Sequence, residues 1–307
     1  MKNHRKSRRL SLESLEGRTL LSGTITLDTS DGNLVILGDA NPNNISVRQT
    51  GLGEFTVTGN NGELFRTPGG LFQKNAVNVT NVRGGLLVSL ASGNDSVTIQ
   101  GLSDTRPIGA FVTVLTGSGK DHVDINTLQT GGVQYPPQIK IPAELNRQRG
   151  AIGEAAYWNA TIPGAITIDT GAGDRTADAD TVTIRSASVL GPTLIDTGAG
   201  DDQVTLDGLT GWQAIINTDR GADHVNIAHQ TQVSLYSLTM TLGDQNDWVE
   251  IGPGQLDLIS SITPSAFYGG SGTNTLAGIQ NLTPGSNANL VDPATTGFVV
   301  LKSKARK

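Results

Sequence analysis

The chain has 307 residues, 39 glycines, no cysteine and a formal net charge of −6. Without cysteine it has neither a disulfide framework nor thiolate metal sites, and no apolar run reaches the roughly 18 residues of a membrane-spanning helix. Nine of the 22 basic residues stand at the two ends, so the body between them sets 13 basic against 28 acidic residues, a balance that repels nucleic acid and anionic lipid and attracts cations.

Residues 1–23, MKNHRKSRRLSLESLEGRTLLSG, are basic and short and lack the apolar core of a secretory signal. Leu12-Glu13, Leu15-Glu16, Arg18 and Leu20-Leu21 resemble the LEPR-XLL sorting tag of planctomycete exported proteins, without that family's proline. The resemblance implies an extracellular or cell-envelope destination. Residues 24–85 follow as short predicted strands (ITLD, LVIL, NISVRQ, EFTVTG) broken by Asp-Gly, Asn-Pro and Asn-Gly turns. They read as an N-terminal cap with degenerate coils, because the end unit of a stacked array must cover an exposed edge.

Residues 86–128 contain one unit twice, LLVSLASGNDSVTIQGL around Asp95 and VTVLTGSGKDHVDINTL around Asp121. The stretch 129–164 breaks the pattern and carries Tyr135, Arg147, Arg149, Glu154, Tyr157 and Trp158. It is expected to be a long loop inserted into one coil. It offers either a contact surface for a cell-surface polysaccharide or protein, or a cover for the side of the stack. From 165 to 262 the unit returns around Asp180, Asp202, Asp223 and Asp247, spaced 22, 21 and 24 residues apart. Weaker copies carry Asn43 and Asn274 at the acidic position, and 302–307 is a basic tail.

Two residues after each acid stand Val97, Val123, Val182, Val204, Val225 and Val249; four after stand Ile99, Ile125, Ile184, Leu206, Ile227 and Ile251. A similar alternation precedes the glycine turn, at Val88, Val114, Ile195, Ile216 and Met240. Period-two alternation on both sides means two strands per unit, each burying one face. Leu102, Leu128 and Leu209 suggest a third short side. Equal spacing and repeated inward residues favour an all-β parallel β-helix, or β-solenoid, over separate hairpins. It has about 21–26 residues per coil and occupies 24–301 as a single unit.

Stacking puts the acids in a column about 4.8 Å apart, where like charges repel by roughly 3–4 kcal/mol at an effective dielectric near 20. Either a cation neutralises Asp95, Asp121, Asp180, Asp202, Asp223 and Asp247, or the acids bond the backbone as a purely architectural ladder. Carboxylates beside glycine-turn carbonyls suit Ca²⁺. The unit TGAGDDQVT, with Gly198, Gly200, Asp202 and Val204, resembles the RTX nonapeptide of haemolysin-type proteins, and Gly117, Gly119, Asp121 and Val123 match it too. That resemblance implies calcium between stacked turns. The chain departs from it in its longer period and in the missing glycines at Ala91, Asp219 and Asp244.

No catalytic motif stands out. His122 and His224 share a position that elsewhere holds Ser96, Gln203 and Trp248, which marks an outer row. The expectation is a non-catalytic structural or adhesive protein. A polysaccharide-binding or polysaccharide-cleaving β-helix, using residues such as Asp178, Asp201 and Arg220, is the alternative.

Overall fold

The computed structural model describes residues 24–67, 72–74, 76–101, 110–127, 162, 164–171, 178–258, 265–281 and 298–301. Residues 1–23, nearly all of 129–164, the tail 302–307, and Leu102 and Leu128 lie outside them.

One coil illustrates the rest. Thr210–Asn217 is a strand whose Ala214 and Ile216 point inward and are fully buried. The chain turns, and His224–Ile227 forms a strand of a second sheet, with Val225 and Ile227 inward. It then passes a corner into Val233–Thr241. This strand lies beside Thr210–Asn217, parallel and in register, with Ala214 opposite Leu238 and Ile216 opposite Met240. Alternation fixes that register, because a slip by one residue turns every aliphatic side chain to solvent.

The first sheet runs Leu256–Leu258, Val233–Thr241, Thr210–Asn217, Ser188–Asp196, Ile166–Asp169, Val112–Leu115, Leu86–Ser89, Leu34–Leu37, Thr24–Asp28, Leu64–Arg66 and Phe72–Lys74, with Ala266–Tyr268 also beside Val233–Thr241. The second runs Phe298–Leu301, Asn274–Ala277, Trp248–Ile251, His224–Ile227, Gln203–Asp207, Thr181–Arg185, His122–Asn126, Ser96–Gln100, Asn44–Gly51, Glu54–Gly59 and Ala76–Val79. Neighbours from Leu34–Leu37 and Asn44–Gly51 onward are parallel, the arrangement of the expected β-solenoid.

The two aliphatic rows after the acids stack in register from Val97 to Val249 and from Ile99 to Ile251. Every member is at most 1% exposed. Each fully buried side chain of this kind contributes roughly 1.5–3 kcal/mol, and each coil gains that burial only against its neighbours. Leu209, on the third side, is buried as well.

The N-terminal region is built differently. Thr24–Asp28 with Leu34–Leu37, Asn44–Gly51 with Glu54–Gly59, and Glu54–Gly59 with Ala76–Val79 are antiparallel pairs. Leu34–Leu37 and Asn44–Gly51 still make one coil, parallel to Leu86–Ser89 and Ser96–Gln100; the antiparallel strands are added to it, and together they cover the edge that the first regular coil would otherwise present. His122–Asn126 pairs directly with Thr181–Arg185, so the intervening sequence belongs to one coil. At its far end Ile162 is buried and bridges Val189. No helix among the described residues is long and apolar enough to cross a membrane.

On the outer face, register places Trp212 opposite Tyr236, and their rings stack with centroids 4.2 Å apart and 5° between planes. Such a pair contributes about 0.5–1.5 kcal/mol beyond the area it buries. Trp212→Ala is expected to lower the unfolding free energy by about that amount, measured by urea titration. A larger loss would mean that Trp212, 41% exposed, has a further packing role.

Candidate functional site

The six acids immediately precede strands of the second sheet, and parity with the valine two residues later turns them inward. Asp95, Asp121, Asp180, Asp202, Asp223 and Asp247 are each 1–2% exposed. The fold thus brings all six sequence-predicted residues into one internal column.

Their partners form a continuous ladder. Asp95 Oδ1 accepts the amide N–H of Asn43 at 2.7 Å, and Asp121 that of Asp95 at 2.8 Å. Asp180 accepts from Asp121 at 2.7 Å, Asp202 from Asp180 at 2.8 Å, Asp223 from Asp202 at 2.9 Å, and Asp247 from Asp223 at 3.0 Å. The Asp247 amide donates to Asn274 Oδ1 at 2.9 Å, which ends the column on a neutral side chain. The backbone carbonyl of each column residue accepts from the residue after the next acid, as His122 does with Asp95 and His224 with Asp202, both at 2.8 Å. At the turn the main chain leaves the sheet, and the carboxylate takes the place of the carbonyl that an N–H would otherwise meet. A buried amide needs such a partner.

The second oxygen is used differently. Thr218, five residues before Asp223, holds its Oγ1 2.5 Å from Asp223 Oδ2. Oδ2 of Asp95 and Asp247 is buried without a hydrogen bond, while the hydroxyls of Thr116 and Thr197, which stand five residues before Asp121 and Asp202, interact with those carboxyls. Burial pushes the Asp95 and Asp202 carboxyls up to about 6, and those of Asp121, Asp180, Asp223 and Asp247 up to about 7. The hydrogen bonds they accept oppose that rise and nearby acids add to it. These threonines are the part of the site that the sequence expectations missed. Their signal was a threonine recurring at a fixed distance before three of the acids.

The oxygens present do not make a calcium shell, which takes six to eight. Oδ1 of each acid is bound to an amide of the adjoining coil. The turn carbonyls point along the axis instead of inward. Ser118 and Arg220 accept the N–H groups of Gly93 and Gly200 at 2.8 and 2.7 Å. The Ala91 and Asp219 carbonyl oxygens lie only 1.6 and 1.4 Å from where a Cβ on Gly117 or Gly243 would stand. Glycine is therefore used here for close approach between coils. What remains for a cation is one carboxylate oxygen per coil, with a threonine hydroxyl five residues earlier only before Asp121, Asp202 and Asp223. Among the described residues, no group of three or more His, Cys, Asp or Glu side chains is placed to hold a metal ion.

The alternative catalytic residues are spread over different rows. Asp201 aligns with Ala222, whose amide its Oδ1 accepts at 2.9 Å; Arg220 aligns with Ala199 and Asp244; and Asp178 lies against Gly200. Asp201 is thus committed to stacking the turns. His122 and His224 lie on the outer face, opposite Thr181 and Trp248 of the next coils. Comparison of the chain with protein-family models, curated proteins and solved structures finds no match.

Proposed function

We propose that the chain is a non-catalytic structural or adhesive β-solenoid that works in the cell envelope or outside the cell. The observation that carries this is the continuous parallel pairing of both sheets from Leu86 to Ala277, in which the strand Ser188–Asp196 shifts register once, between Val189 and Pro192. A rod built this way presents its outer side chains as long rows, a surface for attachment. The tag-like residues 1–23 support the location, and the insertion 129–164 is the proposed contact region. To test the location, the full chain and a version lacking 1–23 are fractionated from a bacterium that exports proteins with such tags. The full chain is expected in the envelope or medium and the shortened one in the cytoplasm. The same distribution for both would overturn the assigned location.

A polysaccharide ligand is the alternative, favoured by Trp248, 40% exposed, beside His224 on the outer face of the second sheet. Tryptophan fluorescence titrated with acidic polysaccharides should shift without release of reducing ends. Release of products would replace adhesion by catalysis.

A further inference from the structure

Six buried carboxyl groups in one column need something to offset their charge, and the oxygens left over do not suit a divalent cation. The charged groups acting on the column are themselves acidic: Asp39 on Asp95, Asp178 on Asp121, Asp201 on Asp202 and Asp244 on Asp247. The inward side chains of the first sheet, Ile195, Ile216 and Met240 among them, are apolar and buried.

The threonines point to what fills the gap. Thr218 Oγ1 lies 2.5 Å from Asp223 Oδ2 and 3.2 Å from the carbonyl oxygen of Leu242 in the next coil. A hydroxyl has one proton and so donates to one acceptor at a time. Both contacts are hydrogen bonds only when Asp223 carries a proton on Oδ2. The acid then donates to Thr218, and Thr218 donates to Leu242. Thr170 likewise reaches the carbonyl of Thr197 in the next coil at 3.3 Å. The Thr116 and Thr197 hydroxyls interact with the Asp121 and Asp202 carboxyls from the same position, five residues earlier, and would accept protons from them in the same way.

We propose that the column is held as carboxylic acids protonated on Oδ2, and that loss of these protons as the medium leaves acidity is a switch that loosens the solenoid from within. The direction of the effect follows from linkage. Burial raises the folded-state values to about 6 and about 7, above the ordinary carboxylate value. Between those limits the folded chain holds protons that the unfolded chain has released. This contribution to stability is complete at low pH and is lost as pH rises through the folded-state values.

The test uses the full chain carrying carboxyl-labelled aspartate. Infrared spectra should show a protonated carboxyl band in the folded protein at about pH 5.5 that is gone by about pH 8.5, and the melting temperature should fall by on the order of 10 °C over that interval. Asp202→Asn with Asp223→Asn keeps both amide acceptors, as Asn274 does at the end of the column, and removes two of the six titrating groups; the fall should shrink by about a third. A folded chain without the protonated band at about pH 5.5 overturns the proposal. So does a melting temperature that does not change with pH, or a loss at high pH that calcium restores and magnesium does not. If the double variant does not fold, the infrared band of the unaltered chain decides.

Discussion

Gly243→Ala and Gly117→Ala are each expected to cost about 2–5 kcal/mol of stability. Both glycines hold a left-handed backbone, at φ +89° and +82°, where a Cβ costs roughly 1–2 kcal/mol. Each also has a carbonyl oxygen of the preceding coil where the methyl group would go, at 1.4 and 1.6 Å. These are backbone atoms, so they do not rotate away; two coils must separate at the turn, an overpacking cost of about 1–3 kcal/mol. Gly62→Ala separates the two contributions. Gly62 has φ +83° with nothing within 4 Å of its would-be Cβ, so it should show only the conformational cost. Denaturant unfolding of the three variants measures the difference. Equal losses at Gly62 and Gly243 would show that coil stacking does not limit these turns. Ala91 and Asp219 hold the same turn position with φ of 72° and 55°, so the left-handed backbone by itself is tolerated there.

Much of this architecture was legible because stacking repeats the same demands. The acid, the valine two residues on and the isoleucine or leucine four residues on occur at fixed intervals only if each coil faces the same neighbour. That gave the parallel solenoid and its coil length. Two features were less accessible. The cap adds antiparallel pairs to its one parallel coil, yet its Asn61-Gly62 turn and short strands look locally like the turns and strands of the coils. Direction of pairing is set by where the chain returns, which local pattern does not record. The partners of the acids were also hidden. Sequence parity puts Asp202 on the same side as Val204, but the amide that its carboxylate meets belongs to Asp180. That amide lacks a carbonyl partner only because the main chain departs from the sheet at the turn. The glycines compounded the ambiguity, since inward-pointing carbonyls and closely stacked carbonyls call for the same residue.

That distinction makes Asp202 the most informative position in the column. Asp202→Ala is expected to cost about 2–4 kcal/mol at about pH 6. It leaves the buried amide of Asp180 without its 2.8 Å acceptor, a loss of about 1–3 kcal/mol, and it opens a small void beside Thr197. Asp202→Asn keeps the acceptor, and its amide group can donate to the Thr197 hydroxyl, so at that pH it should stay within about 1 kcal/mol of the parent chain. Above about pH 8 the order relative to the parent should reverse for Asn, because the variant no longer confines a negative charge. Urea unfolding of the three proteins at both pH values measures this. If Ala and Asn lose stability equally at the lower pH, the ladder is not what holds the turns together, and their stability must be assigned to the valine and isoleucine rows alone.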